Sequence, residues 1–391
     1  MLRNPTRLAA WLAAGFAATA LAAPFTPSDD RHVLERLPSR AADPTLRDIA
    51  ELRQRLARTP QDEVLAVDLA WRYYGRVAAE GDPRYIGYAQ AALAPWWDSA
   101  QPPPRVRVIR AVLRQFNHDF DGARADLQGA LQADPVDGEA WAWTAAIDMV
   151  QARYADARDA CRRMAPQAST LVVTACVAAA DSLTGRAAEA SASLRAALAA
   201  DVSAPERLWA LTRLAEIDER RGDFAAAEQS FRAAQALGLV DGYLLGAHAD
   251  FLLDRGRPAE VLALLKGQER NDVLLLRLAL AAKASASPEL ARWQAELGAR
   301  FDAARRRGDS VHEKEESRFA LALLGDTRHA LELAQRNWAI QKEPADARVL
   351  LEAAVAAKSR DAAKPVLDWM AANRVESAAL RSLAAKLEAA R

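Results

Sequence analysis

The chain has 391 residues, of which 51% are hydrophobic and 27% charged, with 52 Lys and Arg set against 52 Asp and Glu. That balance excludes an intrinsically disordered chain, which has too little apolar material to bury, and it excludes the one-signed field that gathers nucleic acid or anionic lipid. Aromatics are only 6% and Ala dominates the apolar class, a composition suited to helices whose axes approach closely.

Residues 1–22 read as a secretory signal peptide, with Arg3 and Arg7 as a basic start, an apolar centre, and Ala20, Leu21 and Ala22 as a small-residue cleavage site. The apolar run of about 14 residues falls short of the roughly 20 that span a bilayer. Cleavage after Ala22 is therefore expected, with the mature chain free in a bacterial periplasm or outside the cell and no later membrane span. Residues 23–43, with Pro24, Pro27 and Pro38, read as an extended leader holding at most one short helix near His32. Asp43 before Pro44 is a helix start, and Leu46, Ile49, Leu52 and Leu56 predict an amphipathic helix over 44–58.

From there the helices are expected in pairs. Residues 205–239 show the unit most clearly: Leu208, Leu211, Leu214, Ala215 and Ile217 recur at helical spacing, Gly222 breaks the run, and Ala227, Phe231 and Ala234 form the facing stripe of a second helix. The small residue near the start of each second helix can be followed down the chain as Ala89, Ala123, Ala157, Ala190, Ala227, Val261, Ala295, Ala330 and Ala363, at intervals of 34, 34, 33, 37, 34, 34, 35 and 33 residues. Short turns stand just ahead of these markers at His118, Ala152, Gly185, Gly222, Gly256 and Gly325, and Pro135, Pro205 and Pro344 separate units. A hairpin of this kind cannot bury its apolar face alone and has to stack on copies of itself.

Trp141, Ala145, Tyr154 and Ala157 in one unit, and Ala215, Gly222, Phe224, Ala227, Phe231 and Ala234 in another, resemble the tetratricopeptide repeat family. The resemblance covers roughly residues 62–376 and is strong as a set, weaker in the first unit and in the unit around Ala295. It implies a right-handed all-α solenoid of about nine hairpins over 44–376, closed by a capping helix over 377–391, and an exported bacterial scaffold or adaptor without chemistry of its own. Carrying over the family's concave groove positions implies a protein or peptide partner held by Trp71, Tyr74, Arg105, Gln115, Glu139, Met149, Trp209, Glu216, Arg220, Tyr243, Asp250 and Asp254. The competing account is that about half of these are ordinary packing or solvated positions.

Seven of the chain's aromatics lie together as Trp71, Tyr73, Tyr74, Tyr85, Tyr88, Trp96 and Trp97. They form either a bulky N-terminal core or a platform for a glycan, the latter suiting a subunit of an envelope export or polysaccharide-secretion assembly. Pro102, Pro103 and Pro104 read as a rigid link to the next unit. Cys161 and Cys176 fall on successive antiparallel helices and form either a disulfide, as an oxidising compartment favours, or a pair of buried thiols.

No catalytic motif, cofactor fingerprint or metal-ligand spacing is present. The helix opening His312-Glu313-Lys314-Glu315-Glu316 has Glu where a zinc-protease helix needs its second His. Arg-Gly-Asp occurs at residues 307–309 and again at 221–223, where a helix stop explains it.

Overall fold

The computed structural model describes residues 44–308 and 312–389, so the expected signal peptide and leader, and Asp309 of the Arg-Gly-Asp run at 307–309, lie outside the described residues. Backbone contacts divide the chain into Met1–Asp48, of which only the first turn of a helix is described, and Ile49–Arg391, which carries the architecture below.

Among the described residues every regular element is a helix. After α1 (Pro44–Arg58) come nine hairpins: α2 (Glu63–Glu80) with α3 (Arg84–Ala92) and the short α4 (Ala94–Trp97), α5 (Pro104–Phe116) with α6 (Phe120–Ala133), α7 (Gly138–Val150) with α8 (Tyr154–Arg163), α9 (Thr170–Asp181) with α10 (Ala187–Ala197), and α11 (Ala204–Arg221) with α12 (Phe224–Gln235). The remaining four are α13 (Gly242–Asp254) with α14 (Pro258–Leu264), α15 (Asp272–Ala284) with α16 (Leu290–Arg306), α17 (Glu313–Phe319) continued by a π-helical turn (Ala320–Leu324) with α18 (Thr327–Ile340), and α19 (Pro344–Ala356) with α20 (Arg360–Asn373). A single helix, α21 (Ala378–Ala389), follows.

Local chemistry sets these boundaries. The side chains of Asp62, Asp137, Ser169, Ser203, Asp241 and Asn271 accept backbone N–H groups at the starts of first helices, and Asp119, Asp223, Asp326 and Ser359 do so at the starts of second helices, each cap being worth about 1 kcal/mol. Every hairpin reverses through one residue in the left-handed region: Gly81, His118, Ala152, Gly185, Gly222, Gly256, Ala286, Gly325 and Lys358. Four of these nine carry a side chain there, which costs roughly 1–2 kcal/mol each, so the hairpin packing imposes the turn even where the residue resists it.

The small markers do what their spacing implies. Ala89, Ala123, Ala157, Ala227, Val261, Ala330 and Ala363 are all fully buried and Ala190 nearly so, which lets each second helix lie close on its first. Ala295 is a correction: it is exposed, and α16 packs instead through Trp293, Leu297 and Phe301. Beside α16 lies a cavity of about 580 Å³ lined by Ala295, Gly298, Phe301, Phe319 and Leu324. Pro104 is a second correction, since it opens α5 at the position where a missing N–H is harmless and does not extend a linker. A disulfide joins Cys161 of α8 to Cys176 of α9 with Cα atoms 5.6 Å apart, tying the third hairpin to the fourth.

Within Ile49–Arg391 the first helices contact one another along the inner face, α2 with α5, α5 with α7, α9 with α11, and α13 with α15, while the second helices pack chiefly on first helices. The curvature is tight enough that the coil meets itself. The turn of the first hairpin lies against the cap opening the seventh, where a Cβ added to Gly81 would come within 2.5 Å of Asn271 Nδ2. At the second hairpin, His118 Nε2 is 2.7 Å from Gln341 Nε2 at the end of the eighth. At the third, the Val150 carbonyl accepts from the Lys342 amide at 2.8 Å, and the Tyr154 hydroxyl accepts from Trp369 Nε1 at 3.1 Å. Glu376 accepts from the Ala187 amide of the fourth hairpin at 2.8 Å, and Ala378 stands beside Gly222 of the fifth. Each turn thus meets an element about six hairpins further along, so successive coils stack edge to edge where an open solenoid would leave a gap.

The joint is apolar as well as polar. Tyr154, Ala180 and Leu183 from the early hairpins share one buried cluster with Trp338, Leu350, Val366, Trp369 and Leu380 from the late ones. The last helix, α21, packs on both α19 and α11, and so closes the first helices α11, α13, α15, α17 and α19 into a ring. No described helix is long and apolar enough to cross a membrane.

Candidate functional site

The ring gives α11 and α13 an inner wall that faces α17 and α19. On α11, Arg213, Glu216 and Arg220 stand three, four and seven residues apart and so share one face. Glu216 accepts the Tyr243 hydroxyl at 2.5 Å and pairs with Arg213 Nη1 at 3.1 Å, and the Arg213 guanidinium lies 4.4 Å from the centre of the Tyr243 ring. Tyr243 keeps 55% of its surface open, yet burial by the surrounding helices, reinforced by Glu216, raises its hydroxyl well above the ordinary range. Both facts fit a side chain on the inside of the helix ring, crowded by neighbouring helices around its hydroxyl and open to water on its other side.

Further along α13 the lumen is crossed by ion pairs. Asp250 accepts from Arg277 Nη2 of α15 at 2.7 Å and from Arg318 Nη1 of α17 at 3.0 Å. Asp254 holds both terminal nitrogens of Arg348 of α19 at 2.6 and 2.7 Å, and Arg348 Nε reaches Glu352 at 2.7 Å. Burial works against the Asp250 charge, but Arg277, Arg318 and Arg348 outweigh it and hold the carboxyl far below its usual range. On the opposite wall Lys314 Nζ is 3.7 Å from Asp346, which also accepts from Asn337 Nδ2 and from the Glu343 amide, both at 2.9 Å.

Two carboxyls of this lumen are displaced the other way. Burial, then Asp254 and Glu216, push Glu219 up to about 8, and burial with Asp346 beside it raises Glu343. A folded chain therefore holds the Glu219 proton across the interval from about pH 4.3, where an unfolded Glu loses it, to about pH 8. Because the native state binds the extra proton, stability falls as pH rises through that interval and the full penalty remains above it. Glu219→Gln is expected to raise the thermal midpoint at pH 8.5 and to leave it unchanged near pH 4. Equal midpoints for variant and parent at pH 8.5 would contradict this.

The twelve groove residues of the sequence reading fall into separate places. Glu216, Arg220 and Tyr243 gather on the α11 and α13 wall, with Asp250 and Asp254 in the ion pairs beyond it. Trp71 and Tyr74 form a second group with Trp143 of α7, their rings 6.5 and 5.8 Å from it; burial pushes the Tyr74 hydroxyl up to about 12. Arg105 and Glu139 are exposed and Gln115 half-buried, while Trp209 packs on the cluster of Leu171, Leu194 and Leu214, and Met149 on the one shared with the late hairpins. Arg213, Glu219, Arg277, Lys314, Arg318, Glu343 and Arg348 were missed. For Arg213 the signal was present, seven residues before Arg220 on a face already containing Glu216; for the rest it was not, since their place depends on how the coil closes.

Away from the lumen, a cavity of about 370 Å³ is lined by Trp97, Arg107, Arg110, Arg114 and Asp126. Arg110 is saturated there, donating to Asp126 at 2.7 and 2.5 Å and to the carbonyls of Trp96, Trp97 and Ser99, which marks it as the clasp between α4, α5 and α6. Among the described residues no group of three or more His, Cys, Asp or Glu is arranged to hold a metal ion.

No family model matches the chain, and no curated protein matches it. Among solved structures it is similar to human IFIT1, seen as a dimer with m7Gppp-AAAA, at 14% identity and a TM-score of 0.43, covering 88% of this chain and 86% of that one. It is also similar to the TPR domain of P58(IPK) at 13% identity and a TM-score of 0.21, covering 84% of this chain and 99% of that one. Those scores carry no argument about function; the helix-turn-helix repeat stands on the hairpins described above.

Proposed function

We propose that the chain is a non-catalytic scaffold that holds a protein segment against the inner wall of α11 and α13, and that it works after export from a bacterial cytoplasm, in the periplasm or beyond. The observation that carries the reading is the wall itself: Arg213, Glu216, Arg220 and Tyr243 combine an aromatic face with both charge signs and remain reachable by water inside a repeat fold, the mixture that reads a partner's backbone and side chains together. The disulfide between Cys161 and Cys176 supports an oxidising compartment.

Glycan binding by the N-terminal aromatics is the less favoured reading. Tyr73 and Tyr85 are buried and packed ring on ring, which accounts for them as core, and Tyr88 alone of the three tyrosines is half open. Affinity capture from periplasmic extract tests the scaffold reading. The parent chain is expected to retain a protein that Glu216→Ala with Tyr243→Ala retains at least tenfold less. This pair is preferable to any change at Trp209, whose truncation would disturb the core. Capture of nothing, or equal capture by both chains, would remove the reading.

A further inference from the structure

The lumen contains one guanidinium out of keeping with the others. Arg213, Arg277, Arg318 and Arg348 each have a carboxylate within 3.1 Å. Arg220 has none within ion-pair distance among the described residues. Its one hydrogen bond runs from Nη2 to the Ser182 hydroxyl at 2.7 Å, and its Nε is buried without a partner. Ser182 is fully buried at the end of α9 and donates its own proton to the Ala179 carbonyl at 2.8 Å, so it is a fixed neutral acceptor.

A buried charge left without its counter-charge is among the costliest features a fold can carry. The nearby acids act on it only from beyond ion-pair distance: Glu216 is engaged by Arg213 and Tyr243, burial pushes Glu219 up to about 8, and burial raises Glu343 as well. Burial likewise disfavours the charged form of Arg220 itself. The site is thus a planar donor fork, preset by Ser182, at a wall where the neighbouring Tyr243 ring is still open to water. A carboxylate is the group that matches such a fork.

We propose that Arg220 is the anchor for an acidic side chain of the bound protein segment, the carboxylate completing a guanidinium that the chain leaves unpaired. This rests on the scaffold reading above and deepens it by naming what the wall selects. The same geometry makes Arg220 a poor contributor to the fold, since its one hydrogen bond to Ser182 is set against the cost of burying a charge with no carboxylate on it.

The test compares the full chain with Arg220→Met and Arg220→Lys, titrated with hexaglutamate, hexaglutamine and inorganic phosphate at constant ionic strength and followed by Trp fluorescence. Hexaglutamate is expected to bind the parent, to bind Arg220→Met at least tenfold more weakly and Arg220→Lys in between, and hexaglutamine to bind neither. Thermal midpoints of Arg220→Met are expected at or above that of the parent. Equal hexaglutamate affinity in Arg220→Met, phosphate competing as well as the peptide does, or a midpoint lowered by several degrees would each overturn the assignment. If hexaglutamate fails to bind while the parent still captures a protein from extract, the anchor falls and the scaffold stands; if neither binds, both fall.

Discussion

Replacing Asp250 with Ala is expected to lower the stability of the folded chain by about 3 to 5 kcal/mol, the range found when one partner of a buried ion pair is removed and the other is left behind. The reason is geometric. Asp250 is the shared acceptor of Arg277 and Arg318, which arrive from different hairpins at 2.7 and 3.0 Å, so its loss strands two guanidinia inside the ring at once. Arg318 comes from a helix 68 residues away in sequence, and the contact is one of the few that fix α17 against α13. A urea titration with an unchanged slope and a lower midpoint would register the loss; a midpoint within experimental error of the parent would mean that the lumen rehydrates without cost. Replacing all three residues together, as Asp250→Leu with Arg277→Met and Arg318→Met, is expected to recover most of the loss, because an ionic cluster removed whole takes its desolvation cost with it.

The same carboxylate defines how acid acts on the molecule. Its ionisation is held far below the usual range because the three arginines outweigh the burial that opposes it. The stability it supplies is therefore present in full above about pH 3.9, where an unfolded Asp titrates, and is lost only as the pH falls below that value toward the native ionisation. Glu219 acts in the opposite sense and over a higher interval, so the two carboxyls bracket a region of mildly acidic pH in which the lumen is most stable.

How much of this was legible beforehand follows from what each feature depends on. The repeat, its turns and eight of its nine small markers are set by neighbours within one hairpin, and a period near 34 residues reveals them directly. Ala295 misled because periodicity marks a position without saying which side chains fill the space; Trp293, Leu297 and Phe301 took the packing role there. The closing of the coil could not be read, since it is the sum of small rotations between units, and a change of a few degrees in each would leave Asp254 far from Arg348. Half of the lumen's charges therefore had no signature in the sequence. Three of those contributed by α11 did, through the spacing of Arg213, Glu216 and Arg220 on one helical face.

Truncating Phe231 to Ala tests whether the closed coil behaves as one body. The ring is fully buried in the fifth hairpin, lies 4.9 Å from the His248 ring and nearly parallel to it, and touches Phe251 at 5.5 Å. Its removal is expected to cost about 3 to 5 kcal/mol as lost burial plus cavity. His248 softens this little: burial lowers its ionisation to about 4, so it stays neutral, and neither ring nitrogen has a partner. In an open solenoid each hairpin touches only its neighbours, and damage to the fifth would unfold the middle while the ends persist. Here the early turns are tied to the late hairpins through Tyr154 and Trp369, Val150 and Lys342, and Ala187 and Glu376, and the fifth hairpin sits where the two coils meet. Unfolding of Phe231→Ala followed by far-UV circular dichroism and by Trp fluorescence is therefore expected to give coincident curves, displaced together from those of the parent. Two separated transitions, only one of them displaced, would show that the stacked coils do not share their stability.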